Sequence, residues 1–373
     1  MTRPNSIDAF FILLRAGLWE QSCHLSACEP IDFKEVYRVA EEQSVRGLIA
    51  AGIEHVQDVQ VPYDDAKAFI RAVLKQEKIN NAMNQLVVNL VTRLRMMGVN
   101  ALLLKGQGIA QCYERPLWRT CGDIDLLLDG EDYEKAKAFI IPYSTSVEVE
   151  GKYNKHFGTN VGPWKVELHG NLRGGLSPRI DKKLDVFLQD TFHGGETNCV
   201  ELKGTKVNVL RDEYNIVYVF THYLEHFYKG GIGLRQICDW CRLIWTRKDV
   251  LKLSVLENAL RSMGLMTEWK AFAAFAVSYL GMPKEAMPFY DGSNKWVKKA
   301  LSIRNFILEV GNFGSKRNLS RRLKTKPVLV RKAISLGIRV GDLFRHARLF
   351  PLETIRFMPS ILFNGFVSAI NGE

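Results

Sequence analysis

Two short apolar runs, Ala101–Leu104 and Ile124–Leu128, constrain this chain more than any other feature. Each has the length and composition of a buried strand and is too short for an ordinary helix. The first runs into the turn Lys105-Gly106-Gln107-Gly108. The second is entered through Gly122-Asp123-Ile124-Asp125. Side chains repeat every second residue along a strand, so Asp123 and Asp125 face the same side. Two like charges held together among leucine and isoleucine are costly unless positive charge lies between them. A divalent cation answers that cost, and paired carboxylates suit Mg2+.

Helical periodicity dominates on either side of these runs. Residues 6–20 and 33–56 carry apolar side chains at helical spacing, and a long helix is expected over 65–97 after Pro62, closed at Gly98. The pattern then shortens. A helix is expected over Gly106–Tyr113 and another over Asp132–Ile140. Further strands are expected at Val147–Val149, Phe157–Val161 and Trp164–Leu168, followed by a helix over 181–191. A hairpin over Cys199–Leu210 is expected to turn at Gly204-Thr205, and helices resume from Asp212. Strands alternating with short helices indicate a small α/β unit set among helices.

Composition narrows the class. Hydrophobic residues make up 47% and charged residues 24%, the values of an ordinary globular protein. No apolar stretch reaches the roughly eighteen residues of a spanning helix. Ala9–Leu14 is bracketed by Asp8 and Arg15 and reads as part of an amphipathic helix rather than a secretory segment. Seven cysteines without a framework-like spacing read as reduced thiols, so a cytoplasmic location is expected. The net charge of +11 is concentrated: Lys316–Arg356 holds twelve Lys/Arg against Asp342 and Glu353, so the rest of the chain is near neutral.

The pieces between 101 and 169 fit together chemically. A glycine turn between a strand and a helix lets backbone N–H groups approach phosphate, and Lys105 adds a mobile positive charge. Asp123 and Asp125 follow on the next strand. Lys165-Val166-Glu167-Leu168-His169 then offers Glu167 as a third carboxylate. Three carboxylates on adjacent strands can hold two Mg2+ ions, one serving an attacking hydroxyl and the other a triphosphate.

This order resembles the nucleotidyltransferases of the DNA polymerase beta superfamily. The set Leu104-Lys105-Gly106, Arg119, Gly122-Asp123-Ile124-Asp125, His156 and Val166-Glu167-Leu168-His169 looks more closely like that superfamily's uncharacterised bacterial nucleotidyltransferase family. His222-Tyr223-Leu224-Glu225-His226 and Gly231–Trp240 are similar to its helical part. The resemblance implies an α+β fold: a small mixed-sheet nucleotidyltransferase core flanked by N-terminal and C-terminal helical regions. The boundaries expected are a helical region over 1–97, the core over 98–210, a helical domain over 211–312 and a basic segment over 313–373. It further implies Asp123 and Asp125 as metal ligands, Glu167 as ligand or general base, and Gly106 as the phosphate-turn glycine. The reaction implied moves a nucleoside monophosphate from a nucleoside triphosphate to an unidentified acceptor hydroxyl. Where the superfamily has a small Ser or Gly, this chain has Gln107; Lys105 and Arg119 are the candidates to hold phosphate instead. The alternative is a non-catalytic nucleotide- or nucleic-acid-binding module, with Gln107 marking lost turnover.

Other candidates carry plainer readings beside the functional ones. His156 and His169 flank Glu167 and could touch phosphate or order that carboxylate. His222 and His226 share one helix face; Tyr223 replaces the glutamate of the zinc-protease motif, so a hydrogen-bonded pair lining the cleft is expected. Cys238 and Cys241 read as core cysteines. Arg235 and Asp239, four apart, could pair with each other or fix the helical part against the site. The basic C-terminal segment could be a solvated face, a nucleic-acid contact or a contact with an anionic membrane surface.

Overall fold

The computed structural model describes residues 4–148, 155–312, 328–352 and 354–359. The chain opens with α1 (Pro4–Trp19), α2 (Phe33–Glu42) and α3 (Arg46–Glu54). Asp32 caps α2 by accepting from the N–H groups of Lys34 and Glu35. The helical spacing over 33–56 is thus carried by two helices. The break falls at Gln43–Val45, where Ser44 takes a positive φ of 57°. Buried Gln43 donates to the Ile307 carbonyl (3.2 Å) and accepts from the Leu234 N–H (3.0 Å). These partners lie far along the chain, so tertiary bonds fix a break that helical periodicity ran through.

α4 (Tyr63–Met96) is the long expected helix, with Asp64 and Asp65 in its first turn. Its C-terminal half packs Met83, Val87, Leu90, Val91 and Leu94 behind a sheet. Ile70 and Leu74, in its N-terminal half, are exposed.

The sheet contains β1 (Leu102–Leu104), β2 (Asp123–Leu127), β3 (Ser144–Val147), β4 (His156–Val161) and β5 (Trp164–His169), in the order β1-β2-β5-β4-β3. Only β2 and β5 are parallel; the other neighbours are antiparallel, so the sheet is mixed. The third strand begins earlier than expected, and Val149 lies outside the described residues. The parallel pair requires a crossover, and α6 (Gly130–Ile140) lies within it. Tyr133, Ala136 and Ile140 of α6 join Leu103, Ile124, Leu126, Val166 and Leu168 in the core behind the sheet. Alternation therefore sends the remaining side chains, including Asp123, Asp125, Glu167 and His169, to the opposite face.

α5 (Gly106–Ala110) is shorter than the helix expected to reach Tyr113. α7 (Pro178–Phe192) begins at a Ser177 cap with Pro in its first turn. The hairpin of β6 (Thr197–Leu202) and β7 (Thr205–Leu210) turns at Lys203-Gly204, one residue before the expected place. Both turn residues have positive φ, as a tight two-residue hairpin demands.

The second half is helical: α8 (Asp212–Lys229), α9 (Leu234–Arg247), α10 (Leu253–Met263), α11 (Met266–Leu280), α12 (Asn294–Val310) and α13 (Val328–Leu349). These helices share one apolar core with α1–α3. Its centre holds Phe220, Tyr223, Trp240, Trp269 and Phe272 in edge and tilted ring contacts. Cys238 and Cys241 are fully buried there, and all seven cysteines are free thiols. On α13, His346 packs in tilted and edge contacts among Phe227, Tyr228 and Phe306. The stretch Lys316–Lys326 of the basic segment lies outside the described residues. Among the described residues, no helix is long and apolar enough to cross a membrane.

Candidate active site

The site forms where the open face of the sheet meets α8 and α9. In the parallel pair, Asp125 of β2 lies opposite Glu167 of β5, and Asp123 lies opposite Lys165. In the antiparallel pair, His156 of β4 lies opposite His169 of β5. These registers gather both aspartates, Glu167, Lys165 and both histidines on one face. Ligand oxygens of Asp123, Asp125 and Glu167 lie within 4.8 Å of one another, and so do ligand atoms of His156, Glu167 and His169.

Basic side chains surround the carboxylates. Lys105 Nζ is 3.3 Å from Asp125 Oδ1, and His169 Nε2 is 2.8 Å from the same oxygen. Lys165 Nζ lies 2.7 Å from Glu167 Oε1, while His156 Nε2 is 3.1 Å from Oε2. The electrostatics separate the three acids. Burial raises Asp123, and the neighbouring Asp125 raises it further. Burial also pushes on Asp125, but Lys105 and His169 outweigh it and hold this carboxyl below its usual range. At Glu167 burial is outweighed by hydrogen bonds from His156, His169 and Lys165, which keep it ionised. Lys105 is raised: burial opposes its charge, and Asp125 more than compensates.

The turn that carries Lys105 is strained. Lys105 and Gly106 have φ values of 48° and 42°, and a backbone held this way by a lysine costs free energy. A Cβ on Gly106 would lie 3.3 Å from Cys121 Sγ. The result swings Lys105 Nζ from the end of β1 to Asp125 and to His222 Nε2 at 3.3 Å.

His222 and His226 of α8 are hydrogen-bonded to each other at 3.2 Å. Burial, aided by Lys105, lowers both, His226 to about 4, so both are neutral imidazoles. The two rings line one lobe of the cleft, of about 220 Å³, together with Asp123, Asp125, Arg235 and Gly106. A second lobe of about 180 Å³ extends past His156 and His169 towards Asn171, Asp181, Thr221 and Glu225. Lys105, Glu167 and His222 border both lobes.

Two expectations need correction. The Gln107 side chain is not in the cleft: it is 1% exposed, donates to Asn80 Oδ1 (3.0 Å) and contacts Met83 Sδ, so it faces α4. Arg119 borders the cleft but is spent on Asp239 in a buried two-pronged ion pair, both bonds 2.7 Å, so it is not available to cradle phosphate. Asp239 accordingly does not pair with Arg235. It also accepts from the Tyr113 hydroxyl at 2.7 Å. Arg235 instead donates to the Thr120 carbonyl at 2.8 Å, and its Nε has no hydrogen-bond partner. The pairs thus tie α9 to the loop that enters β2.

Lys165 was missed by sequence reasoning. Its signal was available, since it stands two residues before Glu167 and must share its face. Tyr218 and Asp181 carried no signal, because only tertiary folding brings α7 and α8 beside β5.

The donor set suits a divalent cation. Three carboxylates converge, one of them raised by burial and its like-charged neighbour, and hard oxygen donors are what Mg2+ requires. No curated protein and no solved structure shows significant similarity to the chain. The pattern of the uncharacterised nucleotidyltransferase family matches residues 29–281, which span the whole sheet, the glycine turn and α8–α9. The chain belongs to that uncharacterised nucleotidyltransferase family.

Proposed function

We propose that this protein transfers a nucleoside monophosphate from a nucleoside triphosphate to an acceptor hydroxyl, releasing pyrophosphate. The observation that carries the reading is the convergence of Asp123, Asp125 and Glu167 beside the Lys105-Gly106 turn. The order of strand, glycine turn, Asp-x-Asp strand and third carboxylate resembles that of the polymerase-beta-like nucleotidyltransferases.

Asp123 and Asp125 would hold Mg2+, and Glu167 would complete the site from β5. Bound there, the metal supplies Lewis-acid stabilisation of charge building on the phosphate oxygens. The chain's own residues do the rest. Lys105, fixed between Asp125 and His222, places a permanent positive charge at the phosphates. Arg235, with its unpartnered Nε, adds a second one from α9. Arg119 and Asp239 hold the β2 entry loop against α9 and so position the aspartates. The acceptor oxygen bonds to the α-phosphorus, its hydroxyl proton passing to solvent, as the bond from that phosphorus to the pyrophosphate oxygen breaks. The two lobes give the two substrates separate entries that meet at Glu167.

The fate of Gln107 matters to this reading. The residue that suggested lost turnover is turned away from the cleft, so its size does not obstruct the phosphate turn. The test is pyrophosphate release on incubation with each nucleoside triphosphate, Mg2+ and fractionated cell extract. Release that needs both Mg2+ and an extract fraction, and that is lost in Asp125→Ala, supports the proposal. Release that is the same in Asp125→Ala, or absent with every nucleotide, rejects it.

A further inference from the structure

We infer that the cleft holds a second, chemically different cation site formed by His156, His169 and Glu167, selective for a borderline transition-metal ion rather than Mg2+. The inference deepens the proposed function only in the role it gives that ion; the binding itself rests on the three side chains.

The geometry comes from register. His156 and His169 are direct cross-strand partners on β4 and β5, with ring centroids 4.8 Å apart. His156 Nε2 lies 3.1 Å from Glu167 Oε2; His169 Nε2 lies 3.6 Å from the same oxygen and 2.8 Å from Asp125 Oδ1. All three ligand atoms fall within 4.8 Å of each other. Two imidazole nitrogens and one carboxylate oxygen converging on one point form a metal-ligating set with room for a further ligand. Imidazole donors favour Zn2+, Co2+ or Ni2+ over Mg2+, which the all-oxygen Asp123-Asp125-Glu167 set suits.

Location argues the same way. Glu167 belongs to both clusters and borders both lobes. His156 and His169 border only the lobe that lacks Asp123 and Asp125. An ion between them would therefore face whatever enters that second lobe, while Glu167 links it to the aspartate cluster. In the proposed transfer, that is the acceptor's side. Metal-bound oxygen loses its proton more readily than free hydroxyl.

The experiment is equilibrium dialysis of the full chain with Zn2+ in the presence of a large excess of Mg2+, with thermal denaturation in parallel. One Zn2+ is expected to remain bound per chain and to raise the melting temperature. His156→Ala should weaken uptake about a hundredfold or more and abolish the thermal shift, whereas Asp123→Asn should change neither. His156→Cys, which restores a ligand atom, should recover part of the binding; a merely structural role for the ring would not be rescued this way. Zn2+ uptake unaffected by His156→Ala, or uptake lost equally in Asp123→Asn, overturns the inference. Because the readout is ion uptake, these results stand whether or not any nucleotide reacts.

Discussion

Asp125 and Glu167 face each other across the single parallel strand pair of the sheet, and Lys105 and His169 both bond the Asp125 oxygen between them. One acid is buried at 1% exposure and the other borders both lobes of the cleft. Positive side chains thus hold together a carboxylate cluster that would otherwise repel itself.

Asp123 is the member least compensated, since its carboxyl is raised by burial and by Asp125. Asp123→Asn should stabilise the metal-free protein by about 1 kcal/mol, because a repelled buried charge is removed. The same variant should lose the Mg2+-induced rise in melting temperature. Calorimetry with and without Mg2+ checks both; a destabilised metal-free variant contradicts the charge argument.

The Arg119–Asp239 pair is buried on both sides. Breaking such a pair leaves an isolated buried charge, so Arg119→Met or Asp239→Leu alone should cost about 3–5 kcal/mol. The double variant should recover much of that loss. A urea double-mutant cycle measures the coupling; additive effects would show that the pair does not act as a unit.

Gln107 packs against Asn80 and Met83 of α4. Gln107→Ser, which restores the small residue expected in a phosphate turn, should therefore cost about 2 kcal/mol of stability through lost packing and a lost hydrogen bond. The nucleotide KM should stay within about a factor of two, since the side chain faces away from the cleft. A large KM change without a stability change would place this position back in the phosphate site.

His226 gives the fold an acid limit. Burial and the charges of Lys105 and Lys229 lower it to about 4, against about 6.5 in the unfolded chain. Below pH 6.5 the unfolded state takes up a proton that the folded state refuses. Stability from this group is thus complete above pH 6.5 and falls between 6.5 and about 4, by roughly 3 kcal/mol at most. His226→Gln should flatten the urea-midpoint profile across that window; an unchanged slope would show that the ring is not held neutral.

Sequence periodicity made much of this site legible. The two-residue repeat put Asp123 with Asp125, and a later alternating run offered Glu167 as the third carboxylate, so the acidic cluster could be read before any packing. α4 was legible because an amphipathic helix of that length needs no distant partner to be recognised. The orientation of Gln107 was not, since the setting of the short α5 depends on Asn80 and Met83 of another helix. Nor was the Arg119–Asp239 pair, whose partners meet only when α9 docks on the β2 entry loop. Arg235 and Asp239 looked like neighbours by helical spacing, yet each found a better partner across that interface. The break near Ser44 was hidden for the same reason, because its cause is a pair of bonds to Leu234 and Ile307.

The central claim, nucleotidyl transfer through the Asp123-Asp125-Glu167 cluster, is tested most directly by the position of the transferred label. Parallel reactions with Mg2+, cell extract and nucleoside triphosphate labelled at either the α- or the γ-phosphate should behave differently. The account predicts that α-label enters an acceptor, that γ-label leaves as pyrophosphate, and that both events disappear in Asp125→Ala. Transfer of γ-label to the acceptor, or α-label transfer that survives Asp125→Ala, would contradict it.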